Sequence, residues 1–329
     1  MIYFRFNCGN MWGLGHLYRN LILMENLRTE GFKCVAVINK NSVAYHTLAS
    51  REFATILVDE DDNPQNMARI INSTKEKSVL FIDRLDINSE YISTIKELGL
   101  RVITYDDYDK SALQADVAIN TRRIPVAGTL LPYSGPRFQL LRRDVEDFAK
   151  KDKLIKKKAS KVLLSFGGTD PLGLLQKTFR FLTDMNEYEF EFVAGKDQNT
   201  ELRLSVIAYP FMKFVQDVDD FAKRIYEADL CIVAGGVSMY EVSAIGTPMI
   251  NISHNADQNY AASIFAREVG SINLGIGTNI DNRHFSASIR ELMNNYERRK
   301  EMSERMKFFV PSGGAKRVCE IIKSQLTGL

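Results

Sequence analysis

Short, continuously apolar runs alternate with longer amphipathic stretches along this chain, and the alternation happens twice. In the first half the apolar runs fall at 2–6, 34–38, 55–58, 79–82, 101–104 and 117–119, with helical patterns at 17–28, 43–49, 64–72 and 89–98 between them. Strands separated by helices are not hairpins. They must lie parallel, with crossover helices covering both faces of the sheet. Val79-Leu80-Phe81-Ile82 shows no polar alternation, as expected of a strand buried on both faces. The rhythm pauses at 125–136, where Gly, Pro and Ser mark loops, and a charged helix follows at 142–151. It resumes at Lys161-Val162-Leu163-Leu164-Ser165, with further strands at 190–194, 212–215, 230–233 and 249–252, each followed by a helix. At 329 residues the chain suits two cores. The fold class is therefore α/β with two Rossmann-like domains, 1–155 and 156–329, each built on a parallel sheet. The Lys-rich run 150–158 near the junction reads as a solvated linker or helix face.

Composition narrows the function by exclusion. A net charge of +2 gives no field suited to nucleic acid. No window of about 18 uninterrupted apolar residues is present, so no membrane span is expected. The N-terminus reads as a strand and lacks the apolar core and cleavage site of a signal peptide, which points to the cytoplasm. Cys8, Cys34, Cys231 and Cys319 are scattered, without a CxxC pair or a His at ligand spacing. Disulfides, structural zinc and any other metal are thus not expected, and no cofactor is implied. Nothing in the sequence specifies an oligomeric state.

Ligands of open parallel sheets bind beyond the carboxyl ends of the strands, so the loops after each strand carry the information. Gly13-Leu14-Gly15-His16, followed by Arg19, opens the first helix. Its glycines admit close backbone approach, and a helix start disfavours a cation, leaving the His16 imidazole available as a base. A glycine turn with a capping or packed His explains the same residues equally well. Phe166-Gly167-Gly168-Thr169-Asp170-Pro171 follows the strand at 161–165. Thr169 or Asp170 can cap the next helix, whereas Gly167-Gly168 suggests close approach between the two halves. Gly235, Gly236 and Ser238 precede or open a helix and make an anion cradle for a diphosphate. Glu241, one turn inside, suits ribose hydroxyls or, more simply, complements the helix dipole. Asp257-Gln258-Asn259 suits sugar hydroxyls and acetamido groups, or a plain helix cap. His46, His254 and His284 show no recognisable partner, and GxSxG and GxxxxGK[ST] motifs are absent.

Read in order, Gly13-Leu14-Gly15-His16…Arg19, Asp83, Tyr105-Asp106-Asp107, Gly135…Leu141-Arg142, Phe166-Gly167-Gly168-Thr169-Asp170 and Ser238…Glu241 resemble the UDP-sugar hydrolase of pseudaminic acid biosynthesis, the PseG type. The second half, through Phe214-Val215, Ala228-Asp229, Glu241, Gly246-Thr247-Pro248 and Asp257-Gln258-Asn259-Tyr260, is similar to the MurG-like N-acetylglucosaminyltransferases. The resemblance implies the GT-B architecture, two facing Rossmann-like domains with the ligand in the cleft between them. It implies His16 as the base on residues 1–155, with Gly13, Gly15, Arg19 and Asp83 beside the sugar. On residues 156–329 it implies uracil at Val215, diphosphate at Gly235, Gly236 and Ser238, and ribose on Glu241. Gly168, Thr169, Gln258 and Asn259 complete the substrate contacts. The implied reaction is inverting hydrolysis of a UDP-linked, 2,4-diacetamido-2,4,6-trideoxyhexose-like amino sugar by a water that His16 activates.

The chain departs from that family after Asp83, where Arg84-Leu85-Asp86 stands in place of a Tyr-bearing loop. Asn7-Cys8-Gly9-Asn10-Met11-Trp12 likewise replaces an acidic, Ser-rich loop. The exact sugar and the acceptor, water or a glycan hydroxyl, stay open on this ground. A GT-B glycosyltransferase and a non-catalytic nucleotide-sugar binder are the alternatives.

Overall fold

Every run that the sequence marks as a strand is a strand in the computed structural model, which describes residues 1–9, 15–59, 62–73, 76–84, 86–195 and 200–327. The chain divides into two units, Met1–Arg142 with Gly313–Leu329, and Arg143–Ser312.

In the first unit, β1 (Ile2–Phe6), β2 (Cys34–Asn39), β3 (Ala54–Val58), β4 (Val79–Asp83), β5 (Arg101–Tyr105), β6 (Val117–Asn120) and the short β7 (Tyr133–Ser134) form one parallel sheet. Its order is β3-β2-β1-β4-β5-β6-β7. Helices α1 (Gly15–Thr29), α2 (Ser42–Ser50), α3 (Pro64–Asn72) and α4 (Ser89–Glu97) supply the first crossovers. Side chains alternate across a strand, so each central strand feeds two cores. Ile2, Phe4, Phe6, Val79 and Phe81 pack on Leu17, Leu21 and Met24 of α1. Tyr3, Leu80 and Ile82 pack instead with Met67 and Ile71 of α3 and Ile92 and Ile95 of α4. Burying each such side chain contributes about 1.5–3 kcal/mol. The same alternation assigns Asp83 to the α1 face and Arg5 to the α3 face, which decides their partners below.

In the second unit, β8 (Lys161–Ser165), β9 (Glu189–Ala194), β10 (Met212–Gln216), β11 (Leu230–Val233), β12 (Met249–Ser253) and β13 (Ile272–Ile276) are again parallel, in the order β10-β9-β8-β11-β12-β13. Helices α5 (Arg143–Ala149), α6 (Leu174–Leu182), α7 (Thr200–Val206), α8 (Phe221–Glu227), α9 (Val237–Ile245), α10 (Ala256–Val269), α11 (Asn282–Asn294) and α12 (Tyr296–Phe309) accompany it. Side chains of Asn41, Asn63, Asn88, Asn255, Asp281 and Asn295 cap helix starts, each satisfying otherwise orphaned N–H groups.

The division falls between Arg142 and Arg143 rather than near 155, because α5 buries Val145 and Ala149 and packs against α8 and α9. The far end also changes sides. Helix α13 (Gly314–Thr327) places Ala315, Val318, Cys319 and Ile322, spaced i, i+3, i+4 and i+7, in the α1-side core of the first unit. The Lys-rich run is largely exposed outside any helix or strand, as a solvated linker is, but it is pinned to its surroundings. Lys153 Nζ donates to the carbonyls of Tyr226 and Ala228, the latter at 2.6 Å, and Arg299 Nη2 donates to that of Lys156 at 2.7 Å. Burial lowers the Lys153 amine to about 8.

All four cysteines are buried, and burial pushes their thiols up to about 12. None is therefore a poised nucleophile. No helix among the described residues is long and apolar enough to cross a membrane. No cluster of three or more His, Cys, Asp or Glu among them can hold a metal ion.

Candidate active site

Each sheet reverses its strand order once, and such a reversal opens a crevice at the strands' carboxyl ends. In the first unit the reversal lies between β1 and β4. Parallel pairing sets Phe6 beside Asp83, so the end of β4 lies next to the chain that leads into α1. His16 and Arg19, one turn apart on α1, both reach the Asp83 carboxylate. His16 Nδ1 is 2.9 Å from Asp83 Oδ1, Arg19 Nε donates to Oδ2 at 2.6 Å, and Arg19 Nη2 donates to Oδ1. Asn20 Nδ2 adds a second donor to Oδ2 at 2.6 Å and also donates to the His16 carbonyl at 2.7 Å.

This arrangement fixes the imidazole tautomer. A carboxylate only accepts hydrogen bonds, so Nδ1 carries the proton and donates to Asp83. Arg19 Nη2, 3.0 Å from Nδ1, then finds no lone pair there, and its hydrogen bonds go to the carboxylates. The lone pair is left on Nε2, which has no partner among the described residues. His16 is 8% exposed and Asp83 1%. Burial alone would raise the Asp83 carboxyl, but the Arg19 charge, His16 and their hydrogen bonds outweigh it and hold the group at about 2. Arg19 itself is raised despite burial by Asp83 and then Asp106. Asp106, at φ 54°, accepts from Arg19 Nη1 at 3.3 Å, from the Thr121 amide and hydroxyl at 2.8 Å each, and from the Tyr108 hydroxyl at 2.8 Å. The end of β4 and the loop after β5 are thus tied to α1 by charged hydrogen bonds, and the loop after β6 is tied to Asp106.

On the other sheet face, Arg5 is wholly buried and donates to both oxygens of Asp62, at 3.2 and 2.7 Å, and to Asn7 Oδ1 at 2.7 Å. Arg84 turns to that side, gripping Asp86 at 2.8 and 2.6 Å and pairing with Asp62. The residue after Asp83 therefore braces the neighbouring loop.

In the second unit the reversal lies between β8 and β11, and a pocket of about 350 Å³ opens there. The loop after β8 lines it with Gly168 and Thr169, the start of α9 with Gly236 and Ser238, and the loop after β12 with His254 and Gln258. A Cβ on Gly168 would meet open space. Gly235 is used differently, since a Cβ there would strike the Gln258 carbonyl, so its bareness lets the turn after β11 pack close to α10. Gly236 is the N-cap of α9, with no side-chain cap bond at that helix start. Asp170 is a structural anchor as well, accepting from the amides of Leu174 at 2.8 Å and Leu175 at 3.0 Å.

Of the other expected contacts, Val215 is the penultimate residue of β10, Glu241 is buried on α9, and Asn259 accepts from Asn273 Nδ2 at 2.9 Å. These three do not line the pocket. Gly15 begins α1 with open space beside its Cα, while Gly13 and Leu85 lie outside the described residues. Asn20 and Gly195 carry no motif in the sequence, and His254 shows no recognisable partner there. Asn20 gave no signal beyond its spacing from His16, and Gly195 packs on the Gly168 carbonyl. His254 lines the pocket with Nε2 2.8 Å from the Phe166 carbonyl.

No protein-family model matches the chain. SpsG, a spore coat polysaccharide biosynthesis protein of Bacillus subtilis, is 26% identical over 324 residues, 94% of each chain. MurG of Acinetobacter baumannii shares the fold at a TM-score of 0.72, with 13% identity over 98% of this chain and 99% of that one. LpCGTa, solved in complex with UDP, has a TM-score of 0.64, with 14% identity and 99% of both chains covered. The chain has the GT-B fold of these proteins.

Proposed function

We propose that this protein is a nucleotide-sugar enzyme of glycan biosynthesis, and that it hydrolyses a UDP-linked amino sugar to UDP and free sugar. The observation that carries the reading is the His16–Asp83 pair, in which a carboxylate holds Nδ1–H and leaves Nε2 as proton acceptor. In the reaction Nε2 takes the proton of a water as its oxygen bonds to the anomeric carbon. The bond from that carbon to the diphosphate breaks, and UDP leaves with the electron pair. Arg19 is held by Asp83 and Asp106, so it acts in this reading mainly by fixing the pair. The start of α9 supplies N–H groups to the diphosphate.

A second reading is glycosyl transfer, in which His16 deprotonates a glycan hydroxyl by the same step. It is favoured by the polysaccharide role named for SpsG and by the fold shared with MurG. A panel of UDP-sugars without acceptor separates the two. Hydrolysis requires release of UDP and free sugar from at least one of them, whereas turnover only after a glycan is added establishes transfer. Glu241 does not line the pocket, and its ribose contact is what the family resemblance implies; on that contact Glu241→Ala is expected to weaken UDP binding about tenfold or more, through loss of a charged acceptor worth about 1.5–3 kcal/mol. Unchanged calorimetric affinity in a folded variant removes Glu241 from the nucleotide site.

A further inference from the structure

The pocket of the second unit contains one titratable side chain among its described lining residues, and no sequence motif points to it. That residue is His254. Its side chain is 7% exposed. Nε2 lies 2.8 Å from the Phe166 carbonyl, which can only accept, so Nε2 carries a proton. Nδ1 is buried without a hydrogen-bond partner among the described residues. The ring thus ties the loop after β12 to the loop after β8, and the His254 backbone amide donates to Gln258 Oε1 of α10 at 3.0 Å. Among the described residues the ionisable group facing the ring is Asp170, with Oδ1 4.0 Å from Nε2 and both oxygens engaged by the amides of α6.

A diphosphate brought into this pocket would meet helix-start N–H groups but no lysine or arginine side chain among the lining residues. We propose that His254 supplies the missing charge: it takes up a proton as a nucleoside diphosphate binds, and Nδ1–H pairs with a phosphate oxygen. This rests on the nucleotide-sugar reading and adds to it a proton-coupled phosphate ligand. Three observations combine here. Nε2 is already committed as a donor, so protonation must occur at Nδ1, the unpartnered nitrogen. An anionic ligand and the nearby Asp170 both favour the charged ring. Gln258, which holds the His254 backbone, lines the same pocket and keeps the loop in place.

The test is calorimetric titration with UDP-N-acetylglucosamine near neutral pH in two buffers of different ionisation enthalpy. This ligand's diphosphate diester does not itself titrate there, so the difference between buffers counts protons taken up by the protein. Wild-type protein is expected to take up a measurable fraction of one proton. His254→Gln keeps an amide donor for the Phe166 carbonyl, and is expected to lose the uptake and bind roughly tenfold or more weakly. His16→Asn is expected to retain the uptake. Binding by the wild type without proton uptake overturns the inference while leaving the nucleotide reading intact, and so does equal uptake by His254→Gln. No binding of UDP-N-acetylglucosamine or UDP by the wild type overturns the nucleotide reading itself, and this inference with it.

Discussion

Replacing His16 with Asn is expected to lower turnover roughly 10²–10⁴-fold, the usual contribution of a positioned base, while leaving the fold intact. Two features separate this from loss of a packing or capping residue. The ring nitrogen Nδ1 is bound to Asp83, 67 residues away, rather than to the first amides of α1, so His16 is not spent on capping. Asp83 also keeps Arg19 and Asn20 as donors when the imidazole is removed. The loss of one hydrogen bond should therefore cost about 1 kcal/mol, and the melting temperature should fall by only a few degrees. A capping or packed His would show the same small stability loss with near-normal turnover. Melting temperature and UDP release measured on one preparation decide between them, and near-normal turnover would remove His16 from the chemistry.

The strands were legible because they are buried on both faces and so read as unbroken apolar runs, as in β4 and β11. Their order was not. β1 and β4 are neighbours although two strands intervene in sequence, and the pairing of Asp83 with His16 depends on that adjacency. A one-dimensional reading could place Asp83 beside a ligand but could not see that His16, Arg19 and Asn20 already occupy its oxygens. Glycines were misleading in a similar way. Gly168 and Gly235 look alike in sequence, yet one leaves open space and the other accommodates a backbone carbonyl. Helix α13 escaped for a different reason. Its apolar stripe is plain, but a stripe does not say which core receives it, and the chain returns to the first unit after the second is complete.

Asp83→Asn is expected to reduce turnover by roughly 10²–10⁴-fold as well, though His16 itself is untouched, because the carboxylate sets the proton's place on the ring. An Asn amide group turned toward Nδ1 donates to it, which moves the ring proton to Nε2 and removes the base. Arg19 loses its closest counter-charge in the same step. The effect on stability carries its own signature. Asp83 sits at about 2 in the folded protein against an ordinary value of 3.8. A carboxyl lowered by folding stabilises the native state above its unfolded value, and that contribution fades as pH falls toward the folded one. The depression corresponds to about 2 kcal/mol at neutral pH, lost progressively between about pH 5 and pH 2. Urea unfolding across that range should show the wild type losing stability more steeply than Asp83→Asn. The two curves should converge toward pH 2, with the variant less stable at pH 7. Parallel acid limbs would show that Asp83 is not held ionised by Arg19 and His16. Full turnover by a folded Asp83→Asn protein would show that the pair does not fix the base.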